Sequence, residues 1–301
     1  MPSNLDLDAV VCTKDRPQEL AECLRLLAAQ REQPARVIVV CAGGPDADRA
    51  IMGSIPFELH RTRAGLPAQR NVALALAGAD LVGFFDDDVA LEPGYVEAVT
   101  DWFAAHPECV GVTGNIVNDP SRATLSRVFR SLFALANDDG KVLSSGDAMY
   151  LHHPTAPTRV DVLSGSNMVV RRAAAAGLGF DEALEGYAYM EDVDFSMRLS
   201  RKGELWALPH ARLTHAKSET ARIPQRHYVE QVFANGAYLF GKHRREFGFG
   251  RIAFARRVVG RTIAYVLLSV ARRSSEPTLG TVRGLARVPS MVRNGRAHVG
   301  D

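Results

Sequence analysis

The chain has few cysteines, and they are not spaced as metal ligands are. The four lie far apart, at Cys12, Cys23, Cys41 and Cys109. Metal sites built on thiolates need paired spacing, which is missing here. Because Cys12 and Cys41 stand in apolar runs, we expect buried and reduced thiols, which pack as small hydrophobic side chains.

A long hydrophobic run is also missing. The longest candidate in the last third of the chain, Thr262–Ala271, is bracketed by Arg261 and Arg272. It is far shorter than the roughly 20 apolar residues that a membrane-spanning helix needs. Residues 1–8 have neither the basic start nor the apolar core of a secretory signal. We therefore expect a cytoplasmic protein.

Acidic residues become scarce after residue 200. Residues 201–301 carry 19 Lys and Arg against 6 Asp and Glu, whereas residues 1–200 carry 17 against 28. The formal net charge of +2 hides this contrast, and the acidic and basic parts should have different partners. A chain of 301 residues is long enough for one large domain with an appendage.

What the sequence does contain is an alternation of apolar runs and amphipathic segments. Strands are predicted at Leu7–Cys12, Arg36–Cys41, Phe57–His60, Leu81–Asp86, Val110–Ile116, Val160–Leu163, Met168–Arg171 and Glu204–Leu208. Helices are predicted at Pro17–Arg31, Asp46–Gly53, Pro67–Ala77 and Pro93–Ala105, with a helix and a long loop within 121–158. This order is typical of βαβ units, so we expect an α/β fold with a mostly parallel sheet that binds ligands at the carboxyl ends of its strands.

Three consecutive carboxylates, Asp86, Asp87 and Asp88, end one of these strands, and no Lys or Arg lies between Arg70 and Arg122. Alternate side chains of an extended chain share a face, so Asp86 and Asp88 should project together while Asp87 points away. Like charges this close repel, and a divalent ion such as Mg²⁺ or Mn²⁺ would relieve the repulsion. The alternative is a solvated acidic turn.

Two other strand ends carry residues suited to a nucleotide. The segment from Thr13 to Arg16 precedes a helix that begins at Pro17, where amides attract anions and Arg16 adds charge. Arg70 stands in the early turns of the helix after Gly65, where it could hold a diphosphate or pair with the Asp triplet. The alternatives are an ordinary helix cap and a surface arginine.

Three later segments complete the candidate site. The small polar turn Gly165, Ser166, Asn167 lets backbone approach a ligand. Glu191 and Asp192 stand in the first turn of a predicted helix, where the dipole favours an ionised carboxylate that can act as a base; plain capping is the alternative. His215 could add an imidazole ligand to a metal held by the aspartates, although a lone histidine is usually a surface residue.

Taken together and in this order, these segments resemble the inverting family-2 glycosyltransferases of the GT-A fold, from about Leu7 to Ser218. The Asp triplet resembles that family's DxD motif. The resemblance implies a nucleoside-diphosphate sugar donor, a hydroxyl acceptor, Mn²⁺ or Mg²⁺ as cofactor, and transfer of a hexosyl or deoxyhexosyl group.

The resemblance also implies a role for each matching residue. Thr13 and Arg16 would contact the nucleotide, and Arg70 would lie near the base or the diphosphate. The catalytic base would be Asp192 or Glu191. The donor would be contacted by Asp86, Asp87, Gly165, Ser166 and Asn167, and the metal would be bound by Asp86, Asp88 and His215. Many members have an aspartate after strand two to read the base, whereas this chain has Val40–Gly44, with Asp46 and Asp48 only later.

The basic part of the chain predicts two long helices, Arg226–Phe247 and Arg251–Arg273, followed by a loose tail. The expected organisation is therefore a catalytic domain at 1–222, basic amphipathic helices at 223–273 and a flexible segment at 274–301. Cationic amphipathic helices lie on anionic membrane surfaces, which would suit a lipid-linked acceptor and a peripheral position at the inner face of the plasma membrane. Alternatively these helices pack on the catalytic domain or form a homodimer.

Other functions remain open at this point. No recognisable nucleic-acid module accompanies the basic residues, so nucleic acid is not an expected partner. A nucleotidyltransferase also uses metal and carboxylates, but it would need a glycine-rich loop after strand one, and Thr13–Pro17 contains no glycine. A non-catalytic sugar-binding scaffold of the same fold is the third possibility.

Overall fold

The computed structural model describes residues 5–43, 47–120, 124–184, 188–216 and 223–298. The strands are β1 (Leu7–Thr13), β2 (Arg36–Cys41), β3 (Phe57–Arg61), β4 (Leu81–Asp86), β5 (Val89–Leu91), β6 (Cys109–Ile116), β7 (Thr158–Val160), β8 (Asn167–Arg171) and β9 (Glu204–His215). The helices are α1 (Pro17–Ala28), α2 (Leu66–Leu76), α3 (Tyr95–Ala105), α4 (Thr124–Leu132), α5 (Arg172–Ala175), α6 (Glu191–Leu199), α7 (Gln225–His243), α8 (Arg251–Arg272) and α9 (Glu276–Ala297).

The chain folds into two compact units. Unit 1 comprises the described parts of Met1–Pro120, Leu151–Gly186 and Glu191–Arg222, and it holds all nine strands named above. Unit 2 comprises the described parts of Ser121–Tyr150, Tyr187–Met190 and Ile223–Asp301, with helices α4, α7, α8 and α9. Unit 2 thus takes two segments from within the span 1–222 that we expected to form one domain.

Unit 1 is an α/β structure built on a central sheet, as predicted. The strand order is β3-β2-β1-β4-β8-β6-β9-β5, with β7 paired to β9. The first four strands in that order are parallel. The rest of the sheet is mixed, because β8 runs antiparallel to both β4 and β6. The apolar pattern of β8 predicts a strand but not its direction, which depends on the neighbours it meets.

Alternation along the strands places apolar side chains on both faces of the sheet. In β1, Val11 packs in one core cluster with side chains of α1 and α3, whereas Val10 packs in a second cluster that includes Phe195 of α6. The same alternation occurs in β2 and β4. A sheet covered by helices on both faces leaves the strand ends as the accessible place for a site.

The strand register brings the carboxyl ends of three parallel strands to one edge. Cys12 of β1 lies opposite Asp86 of β4, and Thr13 lies opposite Cys41 of β2. All four cysteines are free, and Cys23, Cys41 and Cys109 are buried, in line with the expectation of reduced thiols. Within the predicted helix Asp46–Gly53, a single 3₁₀ turn forms at Arg49–Met52, and Asp46 lies outside the described residues.

The expectation of a loose segment at 274–301 is wrong, because α9 forms a helix of 22 residues there. Its glycines explain why it packs in unit 2. A side chain at Gly280, Gly284 or Gly295 would collide with α7, so these positions let two helix backbones approach closely. Gly280 and Gly284 have helical spacing, so they lie on one side of α9.

The two predicted basic helices are present as α7 and α8, with boundaries that differ by a few residues at most. Among the described residues, no helix combines the length and the apolar composition needed to cross a membrane.

Candidate functional site

The aspartate triplet and His215 meet at the end of β4. Strand β5 pairs with β9 so that Val89 lies opposite His215, and this pairing brings the imidazole to Asp88. The Nε2 atom of His215 lies 3.0 Å from Oδ1 of Asp88. One ligand atom each from Asp86, Asp88 and His215 lie within 4.8 Å of one another. The structure therefore brings together the three residues that the sequence suggested as metal ligands.

The electrostatics of this cluster favour a cation. Burial raises the pKa of Asp86 to about 6, Arg70 and His215 oppose the shift, and the neighbouring carboxylates Asp88 and Asp87 add to it. A bound divalent ion would reverse this effect, because it stabilises the ionised form of each carboxylate.

Asn118, which is not among the site residues predicted from the sequence, holds the backbone of His215 in place. Its Nδ2 donates to the carbonyl oxygen of His215 at 2.9 Å, and its Oδ1 accepts from the amide of His215 at 3.0 Å. Asn118 comes two residues after the end of β6, so the same argument from polar residues at strand ends could have found it.

Asp87 points away from the cluster, as the alternation of side chains predicted, and contacts the loop after β1. Its Oδ2 accepts from the hydroxyl of Thr13 at 2.6 Å, and its Oδ1 lies 3.0 Å from Nη1 of Arg16. Asp87 and Thr13 are both buried. These contacts fasten the loop after β1 to the end of β4, and the expected donor contacts of Asp87 and of the Thr13 hydroxyl stay predictions.

The side chain of Arg70 is enclosed by protein, and little of it is open to solvent. It is 2% exposed, and its guanidinium lies over the ring of Phe180. It pairs with Glu191, lies 3.4 Å from Oδ1 of Asp86 and donates to the carbonyl oxygen of Gly165 at 2.6 Å. Of the two expected arrangements, the pairing with the Asp triplet is present, and the contact with the base or diphosphate stays a prediction.

Asp192 is held by backbone amides at the start of α6. Its Oδ2 accepts from the amide of Gly165 at 2.9 Å, and its Oδ1 accepts from the amide of Val193 at 2.8 Å. A Cβ on Gly165 would lie only 2.8 Å from Oδ2 of Asp192, so only glycine fits between them. These two hydrogen bonds fix the orientation of the carboxylate at the start of α6.

Glu191 stands next to Asp192 but is turned to Arg70. Burial raises the pKa of Glu191 to about 8, and the nearby Arg70 opposes the shift. The Oε2 atom of Glu191 is buried without a hydrogen-bond partner among the described residues. Glu191 thus forms an ion pair with Arg70, whereas the carboxylate of Asp192 accepts from two backbone amides.

Ser166 and Asn167 organise the turn before β8. Asn167 is fully buried, and its Oδ1 accepts from the hydroxyls of Tyr95 and Thr113 at 3.2 and 3.0 Å. The hydroxyl of Ser166 accepts from Nδ2 of Asn167 at 3.2 Å. Asn167 thus fixes the geometry of the sheet behind the site, and its expected contact with the donor stays a prediction.

Two further carboxylates, Asp194 and Asp48, lie in or directly before helical segments of unit 1. Asp194 and Arg198 form the i,i+4 ion pair that their spacing predicted, at 2.7 Å. Asp48, the described carboxylate nearest the end of β2, accepts from the amide of Ala50 at 2.9 Å and caps the 3₁₀ turn.

The chain matches the family model described as glycosyl transferase family 2 over residues 8–176. It is 27% identical over 263 residues to an N-acetylglucosaminyl-diphospho-decaprenol L-rhamnosyltransferase of Mycobacterium tuberculosis, which covers 79% of this chain and 85% of that protein. It is 24% identical over 123 residues to a glucosyl-dolichyl phosphate glucuronosyltransferase of Haloferax volcanii. That second match covers 38% of this chain and only 39% of the archaeal protein's length.

Solved structures share the fold at low sequence identity. A mannosyltransferase from Pyrobaculum calidifontis, solved with GDP-Man and Mn²⁺, has a TM-score of 0.55 and 14% identity, covering 98% of this chain and 90% of that one. Staphylococcus aureus TarS 1–349, solved with UDP-GlcNAc, has a TM-score of 0.53 and 15% identity, covering 98% and 92%. The fold is therefore GT-A.

Proposed function

This chain belongs to glycosyl transferase family 2, and we propose that it moves a sugar from a nucleoside-diphosphate donor to an acceptor hydroxyl in a metal-dependent reaction that inverts the anomeric carbon. The observation that carries the proposal is the meeting of Asp86, Asp88 and His215 within 4.8 Å, at the edge of the sheet where β4 ends. The relatives and structural neighbours that bind or transfer sugars support the same reaction class.

The donor set fits a divalent ion. Two carboxylates and one imidazole are ligands that Mn²⁺ accepts, and carboxylates suit Mg²⁺ as well. Bound there, either ion would neutralise the charge that grows on the departing diphosphate. Asp86 and Asp88 would hold the ion, and Asn118 would fix the backbone that carries His215, so that its imidazole stays within reach of the ion.

Asp192 is the proposed base. As the bond between the anomeric carbon and the acceptor oxygen forms, the bond from that carbon to the diphosphate oxygen breaks, and the hydroxyl proton passes to the carboxylate of Asp192. A single displacement of this kind inverts the configuration. The amides of Gly165 and Val193 keep the carboxylate oriented before the reaction, so little reorganisation is needed.

Arg70 and Glu191 are proposed as positioning residues. Arg70 contacts Asp86, Glu191 and the carbonyl of Gly165, whose own amide binds Asp192. This chain of contacts connects the proposed metal ligands with the proposed base. Thr13, Arg16 and Asp87 play a similar part for the loop after β1, and Arg16 remains partly exposed beside Asp88 for a contact with the donor.

A lipid-linked hydroxyl is the proposed acceptor. The names of the mycobacterial and archaeal relatives include a decaprenol and a dolichyl lipid, which supports a polyprenyl carrier for this chain as well. We propose a hexosyl or deoxyhexosyl donor and a position at the cytoplasmic face of the membrane, where such a carrier would present its sugar.

The test is a panel of nucleotide sugars, incubated with the full chain with and without Mn²⁺ and assayed for released nucleoside diphosphate and for the anomer of the product. We expect turnover only with metal, and a product of inverted configuration. Asp192→Asn should lower transfer by at least about 10²-fold, the contribution of a positioned base, while donor binding persists. Asp101→Asn, on the exposed side of α3, is the matched control and should transfer like wild type.

Several outcomes would contradict the proposal. Wild-type transfer by Asp192→Asn would assign the base elsewhere. Turnover that is independent of metal, or a product of retained configuration, would reject the mechanism. No turnover with any donor and acceptor would favour a sugar-binding scaffold.

A further inference from the structure

The solvent-facing side of α8 is apolar. Six large hydrophobic side chains on this helix are between 36% and 81% exposed: Ile252, Val259, Ile263, Val266, Leu267 and Val270. Their main spacings of three, four and seven residues place them along one side of the helix. From the first to the last the helix rises about 27 Å. We call this set the α8 stripe.

Two of the three charged side chains in the middle of α8, Arg257 and Arg261, point into unit 2, whereas Arg256 is exposed on the same side as the stripe. Arg257 is 3% exposed, and its Nε lies 3.0 Å from Oδ1 of Asp147. Nη2 of Arg261 lies 2.9 Å from the same oxygen. A helix on the surface of a water-soluble domain normally has the reverse arrangement, with its apolar side buried and its charges in solvent. The exposed side of α8 is therefore suited to an apolar environment.

Helix α4 extends this apolar surface. Arg256 donates from Nε to the carbonyl oxygen of Leu132 at 3.1 Å, which fastens the end of α4 beside the α8 stripe. Val128 and Leu132 of α4 are 62% and 61% exposed. Among the described residues, large hydrophobic side chains with more than a third of their surface exposed all belong to unit 2. Large contiguous apolar surfaces mark interaction sites.

Positive charge surrounds the α8 stripe. Arg251 precedes it, Arg272 and Arg273 follow it, and all three are exposed. No Asp or Glu occurs between Glu246 and Glu276. Two copies of α8 packed against each other would bring these arginines together without a carboxylate from either helix to pair with them. The phosphates of anionic lipids would pair with them instead.

We propose that the α8 stripe docks on the surface of an anionic lipid bilayer, with α8 lying parallel to the membrane plane and its terminal arginines at the headgroup phosphates. None of the described helices is long and apolar enough to cross the bilayer. A helix with a long apolar side and flanking arginines is suited to the boundary between headgroups and acyl chains. None of the residues of the α8 stripe belongs to the proposed site for sugar transfer, and the docking does not depend on which sugar moves.

The test is flotation of the full chain with vesicles, either phosphatidylcholine alone or an equimolar mixture with phosphatidylglycerol, neither containing an acceptor. We expect flotation with the anionic vesicles and much weaker flotation with the neutral ones. Leu267→Glu should weaken binding at least about tenfold, because it puts a charge in place of an exposed leucine that the bilayer would bury. Arg272→Gln should weaken it about fivefold.

Ala104→Glu, on the exposed side of α3 in unit 1, adds the same charge and should float like wild type. Val259→Glu provides a second stripe variant, since Val259 is half exposed and contributes little to the folded core. Thermal unfolding checks that each variant is folded.

The proposal is overturned if the wild type does not float, if it floats equally with both vesicles, or if both stripe variants float like wild type. It is also overturned if light scattering shows a dimer that the stripe variants convert to monomer while vesicle binding is absent. In that case the α8 stripe is a contact between two copies of this chain.

Discussion

The exchange Gly165→Ala tests the proposed link between the turn before β8 and the base. Gly165 donates its amide to Asp192 and accepts from Arg70 through its carbonyl. A Cβ at this position would lie 2.8 Å from Oδ2 of Asp192 and 3.1 Å from Nη1 of Arg70. One added methyl group therefore meets both the proposed base and the residue that positions it.

The magnitude follows from the size of the overlap. Ordinary van der Waals contacts of a Cβ begin near 3.4 Å, so the carboxylate of Asp192 or the turn must move by about 0.6 Å. A displacement of about 1 Å at a reacting group lowers a rate by about 10²-fold. We therefore expect kcat to fall by about ten- to a hundredfold. Overpacking should also lower the free energy of unfolding by about 1–3 kcal/mol.

The assay measures kcat for transfer, the Kd of the donor in the presence of Mn²⁺, and thermal unfolding. Gly78→Ala is the matched control, because a Cβ there would lie 3.6 Å from Nη2 of Arg36, an ordinary contact. We expect Gly78→Ala to keep wild-type kcat. Donor Kd should change little in either variant, because the methyl group at Gly165 meets the base and not the proposed ligands of the metal.

A folded Gly165→Ala protein with wild-type kcat would refute the reasoning, since the carboxylate would then tolerate displacement. Equal losses of kcat in the two glycine variants would also refute it, because the effect would not be specific to contact with Asp192.

Three further predictions concern the metal cluster and unit 2. Asp88→Asn should abolish the stabilisation of the protein by Mn²⁺ with a nucleoside diphosphate in a thermal-shift assay, because a ligand stabilises only the state that binds it; undiminished stabilisation would reject Asp88 as a ligand. Asn118→Ala removes both hydrogen bonds to the backbone of His215 and should weaken Mn²⁺ binding about 10- to 100-fold by calorimetry; unchanged affinity would show that the imidazole needs no such support. Asp147→Asn leaves two arginines of α8 without their carboxylate and should lower the free energy of unfolding by about 3–5 kcal/mol in a denaturant titration. Burial raises the pKa of Asp147, but the two arginines lower it further, so the net pKa lies below its usual value. The contribution of Asp147 to the free energy of unfolding is therefore present at neutral pH and is lost as the pH falls through that lowered pKa. A variant that unfolds in acid like wild type would contradict this.

Much of unit 1 could be predicted from local pattern. Apart from the helix expected at Asp46–Gly53, the order of strands and helices from β1 to β4 was predicted with small errors at the ends, because alternation and helical spacing involve residues that are neighbours in the chain. The same locality explains why Asp86 and Asp88 were expected to project together, and why the pair Asp194 and Arg198 was found.

The contacts of the site were harder to predict. Arg70 and Glu191 are 121 residues apart, and Tyr95 and Asn167 are 72 apart. Nothing near Arg70 in the sequence indicates that its guanidinium is buried, so it was expected to face a nucleotide. Asn167 was likewise expected to contact a ligand. An asparagine in a polar turn can either contact a ligand or form hydrogen bonds within the core, and the local sequence does not distinguish the two.

The sequence by itself determined the kind of fold, the carboxylates at the end of β4 and the acidic pair at the start of α6. Each depends on a short stretch of chain whose side-chain period or helix position is local. Only the tertiary structure decided which polar groups face the site and which form the hydrogen bonds and ion pairs that hold the site together. That choice, like the direction of β8 and the burial of charge beneath α8, is made by long-range packing, because a buried charge persists only where distant residues supply its partners.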